Sequence, residues 1–449
     1  ADGLVRIVRW AKDGLRVLRA PLDESARIGP AGRRLRETVV RAAAAGDLGG
    51  DGRKRVVVAS KDGRVYVFDG DGRRVPGFPV SIDPDLAEPT GPEQVIEHGI
   101  LSRPVLVDLD GKPGLEILVS ALDGHLYAWR HDGKPLDGFP VAVHPAGERA
   151  SHRAKIVSTP AVGDIDGDGA LEIVVGSNHV HDGRAGVYAV RARGNAQPGG
   201  AFLAGWRPFP VDGVRPDLLP TVARGLQMDP VLVDADDDGD DEVFVYAVTG
   251  NRIKLIDQPA DGPPRVSAEF SLSPGTRSVF RDTAFLGGTG SPALIDADAD
   301  GTPELYAPLL PMRMITLRFK PGVPIDVPTV LGGWPLVASA DHSAPVEMLP
   351  DYPRRMEDLM LLVRPAFADV DGDGKPEVLV GSGGYLLHAF AAGGGEAPGF
   401  PKFTGGWLFS DAAVGDLDGD GVSELVSVTR EGYLFAWQLA AAARPASDR

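Results

Sequence analysis

Five segments of this chain place carboxylates at the same offsets: DIDGDGALE from Asp164, DADDDGDDE from Asp234, DADADGTPE from Asp296, DVDGDGKPE from Asp369 and DLDGDGVSE from Asp416. Each has an acid at positions 1, 3 and 5, glycine at 6 and glutamate at 9. Carboxylates two residues apart in a tight turn repel one another unless a hard cation sits among them, and an all-oxygen donor set is calcium chemistry. The glycine lets the backbone turn sharply beneath the ion. The expectation is Ca2+ at about five sites, one per loop.

Such loops need strands to hold them. Two degenerate copies lie upstream, DLGGDGRKR from Asp47 and DLDGKPGLE from Asp108, so first aspartates fall at 47, 108, 164, 234, 296, 369 and 416. The repeating unit is legible in the second copy as PVLVDLD, LEILVSAL, GHLYAWRHDG and KPLDGFPV. These are short runs rich in Val, Ile, Leu, Tyr and Trp between Asp-Gly turns, the pattern of strands in hairpins. A GFP triplet recurs at Gly77, Gly138 and Gly399, with variants Gly333-Trp334-Pro335 and Trp206-Arg207-Pro208. Proline there suits an outer edge strand, where no N–H is required.

Four-stranded antiparallel units repeating in this way are the blades of an all-β propeller, whose inner strands are apolar because neighbouring sheets cover both faces. The last copy ends after its third strand, Tyr433–Leu439, and residues 2–21 match the third and fourth strands of the second copy. The N-terminal strands are therefore expected to join the last blade and close the ring, which removes both open edges. The reading is a seven-bladed β-propeller spanning 1–440 as a single domain, followed by a C-terminal tail, 441–449. Eight blades, with residues 1–20 as a remnant of another, is the alternative.

With these motifs the chain resembles the FG-GAP/VCBS repeat family, integrin-alpha-like calcium-binding propellers. The resemblance covers nearly the whole chain and implies calcium held by positions 1, 3, 5 and 9 with the carbonyl at 7. The implied ligands are Asp164, Asp166, Asp168, Ala170 and Glu172 in one loop and Asp234, Asp236, Asp238, Asp240 and Glu242 in the next. Asp296, Asp298, Asp300, Thr302 and Glu304 follow, then Asp369, Asp371, Asp373, Lys375 and Glu377, then Asp416, Asp418, Asp420, Val422 and Glu424. In the degenerate copies Gly49 and Arg55 replace acids at positions 3 and 9, and Lys112 replaces the acid at position 5. A built-in cation can neutralise the carboxylates that remain, so neither copy is expected to take metal.

Composition narrows the function classes. The 449 residues are 43% hydrophobic and 24% charged, ordinary for a folded protein. The net charge of −17 sits largely in the loops, and no basic patch with interleaved aromatics points to nucleic acid. Cysteine is absent, which excludes disulfides and thiolate sites. No apolar run approaches the ~20 residues of a membrane span. Ala1 in place of methionine fits a processed or trimmed chain.

The acidic hairpins share one face, and the links between blades, read as 81–103, 142–158, 212–228, 258–290 and 338–364, form the other. Insertions on one face of a repeat ring make binding surfaces. Polar groups there include His98 with Glu93 and Glu97, His144 and His152 with Arg149 and Arg153, and Asp341 and His342 with Glu347, Arg354 and Arg355. His179 and His181 have zinc-compatible spacing but read first as exposed polar residues. Ser382 in GSGG reads as a turn, and the tryptophans read as blade packing. The expected role is a non-enzymatic, calcium-stabilised, extracytoplasmic scaffold for interaction or adhesion, its partner another protein or a surface glycan. A carbohydrate-binding propeller is the alternative, and a polysaccharide lyase the third reading.

Overall fold

In a computed structural model, the described residues are 4–11, 14–21, 27–28, 33–34, 43–86, 99–143, 155–178, 185–211, 228–245, 252–259, 262–271, 285–311, 329–336, 346–361, 363–417 and 420–439. Nearly all regular structure among them is strand; the helical exception is one 3-10 turn, Gly194–Ala196. Beside two two-stranded sheets, seven antiparallel sheets of three to five strands follow one another along the described residues, which makes the fold an all-β, seven-bladed propeller.

The chain divides into two compact units, Ala1–Ala247 with Ile256–Arg265, and Val248–Leu255 with Val266–Arg449. The first begins with a hairpin, Leu4–Ala11 against Gly14–Pro21. Blade 1 follows (Ala43–Gly46, Arg55–Ala59, Arg64–Phe68, Val80–Ser81). Blade 2 comprises Val105–Val107, Glu116–Ser120, His125–Trp129 and Val141–Ala142, and blade 3 Ala161–Gly163, Glu172–Asn178, Ala185–Arg191 and Phe209–Val211. Blade 4 starts with Val231–Val233 and Glu242–Val245 and continues through Arg252–Asp257 to Arg265–Ser271.

In the second unit, blade 5 is built on Glu304–Pro311, which pairs with both Phe285–Gly288 and Ala293–Ile295 on one side and Val330–Pro335 on the other. Blade 6 contains Ala366–Ala368, Glu377–Gly381, Leu386–Phe390 and Lys402–Phe403. Blade 7 has three strands among the described residues: Ala413–Gly415, Glu424–Val428 and Leu434–Gln438.

Burial between sheets explains the apolar strands. Every residue of Glu116–Ser120 and His125–Trp129 is buried, and the cores run from one blade to the next. One joins Val57, Val65 and Val67 of blade 1 to Ile117, Val119 and Trp129 of blade 2. Glycine fixes the closest approaches. A Cβ on Gly77, at φ +90°, would run into the carbonyl of Asp132, and one on Gly138, at φ +92°, into that of Arg193. The GFP corners at Gly77 and Gly138 thus pack their backbone on the next blade's turn. Hydroxyls add further ties: Ser120 donates to the Ser158 carbonyl and Ser158 to the Gly176 carbonyl.

Four expectations change. Among the described residues the N-terminal strand takes Gly14–Pro21 as its partner in a two-stranded sheet, and the last sheet has three strands. Ile7 from that hairpin packs on Val58, Tyr66 and Phe68 of blade 1. Gly333-Trp334-Pro335 is not an outer-strand corner; it ends the third strand of blade 5, where Trp334 pairs with Leu305 and is fully buried. The segments read as irregular links at 258–290 and 338–364 contain paired strands, Arg265–Ser271, Phe285–Gly288 and Arg354–Arg355. Arg265–Ser271, RVSAEFS, carries the polar–apolar alternation of a strand, whereas FLGG and the Arg354–Arg355 pair are too short to show one.

Candidate cation-binding loops

Each acidic loop joins the first and second strands of its blade. The position-9 glutamate is the first residue of the second strand, so the sheet holds it and points its carboxylate back into the loop. Its Oε2 accepts the N–H of position 2: Ile165 to Glu172 at 3.3 Å, Ala235 to Glu242 at 2.6 Å, and Ala297 to Glu304, Val370 to Glu377 and Leu417 to Glu424 all at 2.8 Å. The position-1 aspartate accepts the N–H of the position-6 glycine, as with Gly301 to Asp296 and Gly374 to Asp369, both 2.9 Å. Position 5 accepts the N–H of position 7, including Ala170 to Asp168 at 2.7 Å, Lys375 to Asp373 and Val422 to Asp420 at 2.8 Å. The backbone is thus shaped around a common centre.

Carboxylates converge there. Asp296, Asp298, Asp300 and Glu304 each place an oxygen within 4.8 Å of the others, as do Asp164, Asp166 and Glu172. Loop 234–242 shows two such groups, Asp234 with Asp236 and Glu242, and Asp238 with Asp240 and Glu242. Asp418 lies outside the described residues, so the fifth loop is described only through Asp416, Asp420, Val422 and Glu424. At position 4, Asp237 and Ala299 adopt left-handed backbone, φ 60° and 59°.

The electrostatics reflect this crowding. Burial, then the charges of Asp166 and Asp168, push Glu172 up to about 8. Burial and the aspartates around them push Glu242 up to about 8 and Glu304 and Asp240 up to about 7. Glu377 is raised for the same reason. Protons or cations must balance these groups near neutral pH.

The degenerate copies balance themselves differently. Arg55 donates through both Nη1 and Nη2 to the Asp51 carboxylate, and its Nη1 lies 3.6 Å from Asp47. That hydrogen bond holds Asp51 well below the usual carboxylate range. In the next copy Asp108, Asp110 and Glu116 still converge, but Lys112 Nζ and Arg130 Nη2 each reach Asp110 Oδ2 at 2.8 Å.

Neighbouring loops are joined. Asp241 N–H donates to the Asp164 carbonyl at 2.8 Å, Leu115 N–H to that of Leu48 at 2.9 Å, and Lys375 Nζ to that of Asp298 at 2.6 Å.

Of the polar groups expected on the links, Glu93, Glu97, His98, His144, Arg149, His152, Arg153, His179, His181, Asp341 and His342 lie outside the described residues. Sequence reasoning missed His388. This imidazole lies in the apolar strand LLHAF, buried between Glu396 on Nδ1 and Glu357 on Nε2, both at 2.9 Å. Burial alone would lower its pKa; the bonds to Glu396 and Glu357 outweigh that and hold it above the ordinary value. A histidine inside an apolar strand was the available signal.

Fold and loops together define a β-propeller carrying acidic repeat hairpins. Residues 364–427 match the FG-GAP-like repeat, and with the seven-bladed architecture the chain fits an FG-GAP-like propeller. No curated protein matches it in sequence. Among solved structures it is similar to the quinohemoprotein alcohol dehydrogenase of Comamonas testosteroni, at 12% identity and TM-score 0.59, covering 100% of this chain and 75% of that one. It is also similar to Saccharomyces cerevisiae Sqt1, at 10% identity and TM-score 0.55, covering 98% and 91%. A europium-containing methanol dehydrogenase gives 10% identity and TM-score 0.51, covering 95% and 79%. These likenesses concern the fold. No helix among the described residues is long and apolar enough to cross a membrane.

Proposed function

We propose that the chain is a non-enzymatic propeller braced by calcium-class cations, working outside the cytosol as a scaffold for a protein or glycan partner. The observation that carries the reading is the convergence of four carboxylates, Asp296, Asp298, Asp300 and Glu304, within 4.8 Å on a preshaped backbone. Four protein carboxylates face that centre, as a brace requires. Sites of the extracellular type, with dissociation constants of ~10⁻⁴–10⁻³ M, load at millimolar calcium and stay empty at cytosolic levels. Residues 1–440 act in this reading as one domain.

The partner surface is read from the opposite ends of the blades. The loops enter at the start of each second strand, so the turns into the third strands lie at the far end. There blade 6 exposes Tyr385 (40%) and Phe403 (70%), and blade 7 exposes Tyr433 (59%). Phe403 pairs in register with Leu386, at the turn end of its sheet. Exposed aromatics suit both protein contacts and sugar rings. A glycan array probed with the wild-type chain and a Phe403→Ala/Tyr433→Ala variant separates the two partners.

Chelation tests the brace. At ten times its dissociation constant, each filled site adds ~1.4 kcal/mol of stability. Excess EGTA should therefore lower the thermal midpoint by several degrees, and calcium should restore it. An unchanged melt refutes the reading.

A further inference from the structure

Loop 234–242 differs from the other four full copies in one chemically significant way. Its position-7 residue is Asp240, where the others have Ala170, Thr302, Lys375 and Val422. In loop 296–304 the four carboxylates meet as one group, whereas loop 234–242 forms two groups of three that share Glu242. Glu242 is only 2% exposed. Its Oε2 accepts the Ala235 N–H, while its Oε1, buried in the loop, has no hydrogen-bond partner. Asp240 Oδ1 is likewise buried and unpartnered. A buried carboxylate oxygen with no donor is costly, and a cation removes that cost.

Charge counting points the same way. The groups contain five carboxylates, Asp234, Asp236, Asp238, Asp240 and Glu242, against four in loop 296–304. Counted over these groups alone, one divalent ion leaves one more negative charge than on the filled group of loop 296–304, and two ions leave one fewer. Asp237 and Asp241 are the loop's two further acids and stand outside these groups.

We propose that loop 234–242 is a two-cation site, with Asp234 and Asp236 on one divalent ion, Asp238 and Asp240 on the other, and Glu242 bridging them. The proposal rests on the reading of the loops as cation sites and adds a second ion to one of them. Hard oxygen donors select calcium-class ions, and carboxylate-bridged pairs at ~3.5–4 Å are an established arrangement for divalent metals.

The test counts bound calcium on the full chain by equilibrium dialysis, with calcium as the only added metal. Asp240→Asn, isosteric and in a solvent-facing loop, should bind one equivalent fewer than wild type with an unchanged far-UV spectrum. Glu242→Gln should bind two fewer. An undiminished count in Asp240→Asn, with Asp234→Asn losing one equivalent, removes the second ion and leaves the single-ion reading standing. Undiminished counts in both Asp234→Asn and Asp240→Asn overturn the proposal and the cation reading of this loop together.

Discussion

Loading the loops with calcium should expel protons, and the number follows from the site. Glu172 and Glu242 are pushed up to about 8, and Glu304 and Asp240 to about 7. At pH 7 the ion-free chain then holds about 0.9 proton on each of the first pair and about half a proton on each of the second. A cation requires these carboxylates ionised, so saturation at pH 7 should release roughly three protons per chain, falling to a small fraction of one by pH 9. The sign for stability follows. These acids have folded pKa values above their unfolded ones, so the ion-free fold binds more protons than the unfolded chain. Its stability should decline as pH rises from about 4.5 through about 8, while calcium affinity climbs over the same interval. The groups are coupled, so a broad release rather than four separate steps is expected. Calorimetric titration at pH 7 in PIPES and in imidazole, which do not precipitate calcium and whose ionisation enthalpies differ, gives the proton count directly. Calcium binding with less than about 0.3 proton released at pH 7 would refute the account of the buried glutamates.

Three further outcomes follow from single features. Ala299 sits at φ 59° without being glycine, so Ala299→Gly should stabilise the protein by ~0.5–1 kcal/mol in urea unfolding; a loss would show that the loop tolerates the residue without strain. His388, clamped between Glu357 and Glu396, has a raised folded pKa. Its contribution is full below the unfolded value near 6.5 and is lost as pH rises through the folded value, so the stability gap to His388→Gln should be widest at about pH 5.5–6.5. A gap independent of pH would remove the imidazolium from the explanation. In blade 1, Arg55 occupies the place of the position-9 acid; Gly49→Asp/Arg55→Glu should gain one calcium equivalent in dialysis, and an unchanged count would show that the loop backbone, not its charge, decides binding.

The acidic loops were readable in sequence because their chemistry is local: nine residues carry carboxylates, glycine and first strand residue together. The strands were legible for a related reason, since full burial leaves unbroken apolar runs such as HLYAW and EILVS. What the sequence concealed depends on distant partners. Nothing near His388 announces Glu357, which arrives from another segment of the chain. Trp334 followed by proline resembles a corner until its pairing with Leu305 is seen. Arg265–Ser271 did carry a signal, the alternation of Val266, Ala268 and Phe270 with polar residues, whereas the pair Arg354–Arg355 exists through backbone pairing that its composition does not encode.

The blades are not equally covered, and this has a consequence for how the chain comes apart. Blade 2 presents a third strand buried at every residue, while the third strand of blade 7, Leu434–Gln438, alternates between exposed and half-buried. Val414, Leu417, Val428 and Leu434 around it are 37% to 47% exposed. Leu425 and Trp437 still pack on the core of blade 6, but opening that sheet uncovers less apolar surface than opening blade 2, so its local unfolding costs less. Among the described blades the array therefore has a direction: amide exchange and protease nicking are expected earlier in blade 7 than in blade 2.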